Sequence, residues 1–452
     1  MMERYGIRLL GLIVNKTCLV DKNMSTVISI DFLNPTPIIR QHLNNATFYY
    51  KTLHESRYSS LINVERFNHF NALLNANLDG LYHAGQLGLH EALSALKRWK
   101  GYEDAFIYAS LFNELDNEKD VDNFWRTIKT LGFDAFIGAI DALVRVEITS
   151  RNAQLAILKD IDLFMFYIAL LKIKAYDAEV IQYETFLQYL SSPSKEVKIA
   201  LCDYTKNMGL NSVSEDLWQL FNHETDLTIK YAAIEAISWL SDDYNRIYSA
   251  LIQLIQLYLN ENSLKGSKGL IHSQIIENIA RLMGYTSSML DGVVLSEQIQ
   301  LLPDYLKIVY YANSGNTAYL QNLIGYLDVP ELSRLAFKGI CLITGIDVNS
   351  PELTFASVEQ AELAVDSRVR FLSSSVNQVN QEAVKRTVLS LNFKGKVLLG
   401  KTISISHCEA VIQNGCQLER HIANWHLFHL SNKIKYNNIC YFNRINIRSR
   451  GD

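Results

Sequence analysis

The stretch Val197-KIALCDYTKNM-Gly209 is followed, 32 residues on, by Ile229-KYAAIEAISWL-Ser241. Laid over each other, the two put Ala200 on Ala232, Leu201 on Ala233, Tyr204 on Ala236 and Met208 on Leu240. Apolar residues three and four apart mark a helix with one buried face. Residues 215–221, with DLWQLF at their core, read as a second helix of the same unit. His272-SQIIENIARLM-Gly284 keeps the frame and ends in Met-Gly like the first copy. Ser333-RLAFKGICLIT-Gly345 keeps it again, with Ala336 at the Ala200 position and Gly345 at the Gly209 position. A helix pair of ~30–45 residues cannot hide its apolar face alone, so successive pairs stack and share one core. Ala200, Ala232 and Ala336 let neighbouring helices approach, and a closing Gly permits the left-handed turn that ends a helix. Pro193 and Pro330 suit helix starts. The expectation is an all-α, HEAT-like α-solenoid whose repeat array covers 151–350.

Upstream, Thr36-Pro37 pairs a capping residue with a first-turn proline. Ile39, Leu43, Ala46, Tyr50 and Leu53 then form one stripe, and a second helix over 64–84 buries Phe67, Phe70, Leu74, Leu78 and Leu81. Helical segments at 87–100, 102–115 and 119–148 complete an N-terminal helical region, 36–150, after a flexible 1–35 in which Met24 is a candidate start. Downstream, 354–372 reads as helical, 373–381 as turn-like, and the Gly-interrupted VLSLNFKGKVLL of 388–399 as a short hairpin. Helices at 404–414 and 417–431 follow, and 365–452 is expected to form a mixed helical cap closing the solenoid core.

Composition agrees. With 6 Pro and 21 Gly in 452 residues, the chain lacks the turn residues that sandwiches and barrels consume. Residues 380–452 carry 11 Lys/Arg against 4 Asp/Glu, leaving 1–379 at −11. The basic end reads as a solvated face of the cap. The 6 Cys are scattered without a CxxC pair, which fits a reducing, cytoplasmic setting. The opening apolar run, 9–14, is too short for a signal peptide, and no window approaches ~18 apolar residues, so no membrane association is expected.

Four features invite a chemical reading. His407, Cys408, Cys416, His421, His426 and His429 crowd 23 residues, but Cys-x7-Cys-x4-His matches no standard zinc spacing, and core thiols with surface histidines explain it. Asp116/Asp120 and Asp242/Asp243 fall at turns, where no apolar pocket raises a carboxyl for acid–base work. Gly395-KVLL-Gly400-Lys401-Thr402 fits the Walker string letter for letter, yet bulky KVLL fills the loop and β-branched ISIS follows where a helix should open. Solenoid DNA glycosylases use a basic groove, and an acidic 1–379 argues against one. No catalytic, cofactor or metal site is expected, and the chain reads as non-enzymatic.

Leu74-Asn-Ala-Asn-Leu-Asp-Gly-Leu-Tyr-His-Ala-Gly85, Leu342-Ile-Thr-Gly345, Leu398-Leu-Gly400, and Gly415, Gln417, Arg420 and Ala423 together resemble an uncharacterised proteobacterial family of HEAT-repeat proteins. Genes of that family often lie in type VI secretion clusters. The resemblance implies a cytoplasmic protein that binds a secreted effector or toxin, as immunity protein or loading adaptor. Two departures stand out: 365–380 lacks the family's tryptophans, and the cap is poorer in Arg. On a solenoid's curved face a few aromatic and Arg anchors carry binding, and Trp218, Trp239, Trp425 and Arg420 are the candidates. The alternative is a nucleic-acid-acting HEAT-like enzyme such as a DNA glycosylase.

Overall fold

The computed structural model describes residues 35–112, 118–260, 267–290, 297–355, 367–373 and 376–432. Across them the chain is all-α, a solenoid-like helical-repeat fold with two short two-stranded ribbons. Met24, Asp116 and residues 433–452 lie outside the described residues. Two compact units divide the chain. The described part of the first comprises 35–54 and 68–165, and that of the second 55–67 and 166–432.

In the first unit, α1 (Thr36–Glu55) buries the expected stripe of Ile39, Leu43, Ala46, Tyr50 and Leu53. Helix α2 (Val64–His83) buries Leu74, Leu78 and Leu81, while Phe70 is half-buried. Then come α3 (Gln86–Trp99), α4 (Tyr102–Phe112), α5 (Glu118–Leu131), α6 (Phe133–Leu143) and α7 (Ile148–Ile161). The single 119–148 segment read from periodicity is broken at Gly132, whose φ of 109° no other residue adopts cheaply. Helices α4 and α6 form the centre. A Cβ at Gly138 would stand 1.8 Å from the Tyr102 carbonyl oxygen, so glycine sets how closely these helices cross. The Tyr50 ring stacks on Phe106 with centroids 3.8 Å apart, and its hydroxyl donates to Asp141 Oδ2 at 2.6 Å.

Helix α8 (Leu163–Tyr176) leads into the second unit, where α9 (Tyr183–Leu190), α10 (Lys195–Met208), α11 (Ser214–His223), α12 (Leu227–Leu240), α13 (Tyr244–Asn260) and α14 (Ser267–Ser288) follow. After the four-residue α15 (Glu297–Gln300) come α16 (Asp304–Ser314), α17 (Leu320–Tyr326) and α18 (Ser333–Thr344). Helices α10, α12, α14, α16 and α18 pack in succession, with α11, α13 and α17 set against them as the second row. Four of these five first-row helices, α10, α12, α14 and α18, are those whose sequences share a register, and α16 joins the row without it. Of the three alanines read as letting helices approach, Ala336 is buried while Ala200 and Ala232 are half-buried, and on α12 it is Ala233 and Ala236 that are buried. Gly209 and Gly345 close α10 and α18 with φ of 62° and 74°. Gly284 does not. It lies inside α14, where a Cβ would come within 2.9 Å of the Tyr310 carbonyl oxygen and of Asn313, so this copy needs glycine for a helix crossing.

The last third differs more from its sequence reading. Thr354 and Phe355 form β1 (Thr354–Phe355), paired with β2 (Gln378–Val379), so the expected 354–372 helix does not begin at Thr354; its end is α19 (Ser367–Ser373), and 356–366 lie outside the described residues. Asn380 caps α20 (Gln381–Ser390) by accepting from the Ala383 amide, which places 388–390 in a helix. The hairpin instead joins β3 (Val397–Leu398) to β4 (Lys401–Thr402). Leu399 and Gly400 both take positive φ, as a two-residue hairpin turn requires. Helices α21 (Ile405–Asn414) and α22 (Gln417–Leu430) end the described chain.

Candidate functional site

Helix α22 lies in the interior of the second unit. From His421 to His429 every residue is buried, on all faces. A helix apolar on one stripe only sits at a surface, whereas one buried all round is interior. Its partners are α21, α12, α14 and the strap 55–63. The strap is held by backbone: Gln417 N donates to Ile62 O at 2.8 Å and Leu418 N to Ser59 O at 3.1 Å. Glu419 accepts from the Cys416 amide at 2.8 Å, closing a capping box in which Cys416 occupies the usual Ser or Thr place. Trp425 Nε1 and His429 Nε2 both meet the Ser238 carbonyl, at 3.2 and 3.0 Å, and Tyr285 packs beside Trp425.

Where the strap meets the first-row helices, charges gather. Arg57 Nη2 donates to Glu235 Oε1 at 2.9 Å, and Lys206 Nζ stands 3.4 Å from that oxygen and 2.8 Å from Asp203. Arg281 lies over the Tyr58 ring at 4.4 Å, and Glu277 takes Arg368 Nε at 2.6 Å with Arg281 at 3.9 Å. Burial alone would raise the Glu235 carboxyl; Lys206 and Arg57 more than reverse it and hold it near 2. Burial, reinforced by Arg57, Lys206 and Arg281, drives His421 well below the ordinary histidine range, so it is a neutral partner for the Tyr58 hydroxyl at 3.4 Å. These charges are spent on one another, a half-buried lattice with Asp203 at its exposed rim that fixes the strap.

Beside the lattice lies a cleft of about 330 Å³ lined by α18, the loop after it, the hairpin turn and the start of α22. Lys338 lines it, half-buried, and donates to Leu372 O at 2.9 Å. Burial, with Arg281 adding, lowers its ammonium to about 8. Cys341 and Cys416 share the cleft, and burial raises both thiols, that of Cys416 to about 12, which leaves them poor nucleophiles.

The Walker-like string is structural. Leu399 N and Gly400 N donate to Leu342 O and Ile343 O, the open carbonyls at the end of α18, and Val397 N donates to Gly315 O after α16. Lys396 Nζ is bonded to the Leu290 carbonyl. The amides that would cradle phosphate are thus committed to helix ends. The His/Cys group is dispersed: His407 Nε2 meets Leu398 O at 2.7 Å, Cys408 is buried, and His429 Nδ1 meets Tyr244 OH at 3.0 Å. Asp243 caps α13 through the Arg246 amide, and exposed Asp242 accepts from Tyr244.

The four residues named as partner anchors do not form a surface. Trp218, Trp239 and Trp425 are 2%, 2% and 0% exposed, and this burial corrects their reading as surface anchors. Trp218 packs under Arg246 at 4.0 Å. Half-buried Arg420 serves α22, donating to Ile412 O and Gln417 Oε1 at 2.8 and 2.5 Å. Of the five tryptophans only Trp99, at the end of α3, is exposed, at 66%, with the Arg98 guanidinium 4.6 Å over its ring. The string Lys97-Arg98-Trp99-Lys100 carried the signal: three cations around an aromatic, just past the last buried residue, Leu96. Lys338 carried one too, as the lone charge inside LAFKGICLIT.

Among the described residues no group of His, Cys, Asp and Glu is arranged to hold a metal ion, and no helix is long and apolar enough to cross a membrane. No protein-family model, curated protein or solved structure matches the chain.

Proposed function

We propose that this chain is a non-enzymatic protein-binding helical-repeat protein of the cytoplasm that engages a secreted effector, as immunity protein or loading adaptor beside a type VI secretion system. The observation that carries the binding reading is Trp99. An exposed indole with Arg98 stacked on it, flanked by Lys97 and Lys100, joins the two residue types most enriched where partners bind. Its charge favours an acidic partner surface. The inner helix α22 supports the same reading from the other side, because the titratable groups it covers serve the fold.

The test is co-purification with the toxin encoded nearby, comparing wild type with a Trp99→Ala/Arg98→Ala double variant. Wild type should form a stoichiometric complex, and the variant should lose about 2 kcal/mol or more of affinity with an unchanged melting temperature. Growth rescue by the complex marks immunity; association with the secretion spike without rescue marks an adaptor. Undiminished binding by the double variant would remove the Trp99 surface. Steeply salt-dependent binding to DNA at ~50 mM salt would remove the whole reading in favour of a nucleic-acid-acting enzyme.

A further inference from the structure

The cleft beside α18 has a polarity pattern that the fold does not use. Its walls are largely apolar, with Leu342, Ile346, Val348, Leu399 and Leu418 contributing, and Lys338 is its one cation. An ammonium has three donors. Among the described residues Lys338 uses one, on the Leu372 carbonyl, and no carboxylate stands within 4.0 Å of it. A half-buried cation facing apolar walls without a counter-ion is unfavourable. The acids nearby have partners of their own: Glu277 serves Arg281 and Arg368, Glu419 is bound to the Cys416 amide, and Asp347 accepts from the Asn349 amide. Two acids also line the cleft, Glu419 and the exposed Asp347. Their field disfavours multiply charged anions, so phosphate is a poor occupant. The volume sits at the small end of the roughly 300–1,000 Å³ range of ligand pockets.

We propose that this cleft binds a small apolar monocarboxylate, its carboxylate on the Lys338 ammonium and its hydrocarbon body against Leu342, Ile346, Val348, Leu399 and Leu418. The single cation supplies the counter-charge and the walls supply the apolar burial, while the two acids oppose every negative charge and so leave room only for the one that Lys338 neutralises at contact. Ligand binding raises the protonated fraction of Lys338, whose ammonium burial and Arg281 otherwise weaken. The proposal stands independently of the Trp99 surface.

The experiment is isothermal titration of the full chain at pH 7 with sodium octanoate, with 1-octanol and inorganic phosphate as comparison probes. Octanoate should bind one to one, at least tenfold tighter than octanol, and phosphate should not compete. Lys338→Met should weaken octanoate at least tenfold, and Val348→Trp, which fills the cleft without touching the cation, should abolish binding. Should Lys338→Met fail to fold, the octanoate–octanol ratio on wild type and the Val348→Trp result still decide. Equal binding of octanoate and octanol, phosphate competition, unchanged octanoate affinity in either folded variant, or no heat up to millimolar octanoate each overturns the proposal.

Discussion

His426 is 1% exposed and neither ring nitrogen has a hydrogen-bond partner among the described residues. Burial, with His429 and Lys396 adding, lowers it from an ordinary 6.5 to about 3. The folded state therefore refuses a proton that the unfolded chain accepts, so stability falls as pH drops from 6.5 toward 3. Glu235 adds to this at lower pH: its stabilisation, present above the unfolded 4.5, is lost as pH falls toward 2. His426→Phe keeps the volume and removes the titration. Urea midpoints from pH 7 to pH 4 should fall less steeply for it than for wild type, and parallel profiles would refute this account of His426. Glu235→Gln leaves half-buried Arg57 without its carboxylate and buried Lys206 with only the exposed Asp203, a loss of about 1–3 kcal/mol at pH 7. Chemical denaturation checks it, and a change under 1 kcal/mol would mean the lattice is solvated. The stripe on α1 was legible residue by residue, because one helix face decides it. The buried tryptophans were not: aromatic type says nothing of whether another segment covers the ring, as α22 covers Trp239 and Arg246 covers Trp218.

At the scale of elements, the hairpin and α22 show where local pattern stops being informative. Helices of the repeat array declared themselves by periodicity, and two of them also by a capping side chain, Ser194 before α10 and Asp226 before α12. VLLG declared nothing until its contacts were known. A Cβ on Gly400 would lie 2.5 Å from the Thr344 carbonyl oxygen, and one on Gly345 2.6 Å from that of Leu399, both at positive φ. Gly345→Ala and Gly400→Ala should each destabilise by about 1–3 kcal/mol. Because each glycine faces the backbone of the residue just before the other, the double variant should cost less than the sum. Strict additivity in denaturation midpoints would show that the hairpin does not bind the end of α18. The length and limits of α22 were readable as well, and its interior position was not, since the groups that bury it come from 59–62 and 238.

For the molecule as a whole, the repeat reading reached the right class, all-α and solenoid-like, from four segments in one register. It missed that the second unit draws on residues 55–67, because no periodicity connects a strap to a helix so distant in the chain. Tyr58 and His421, which meet at 3.4 Å, are 363 positions apart. At roughly 5–20 residues per second, a ribosome needs about 20–70 s to travel that distance. Until α22 has emerged, Arg57 and the apolar lining that α22 will cover have no completed shelter, and a nascent chain in that state exposes the kind of apolar surface that chaperones bind.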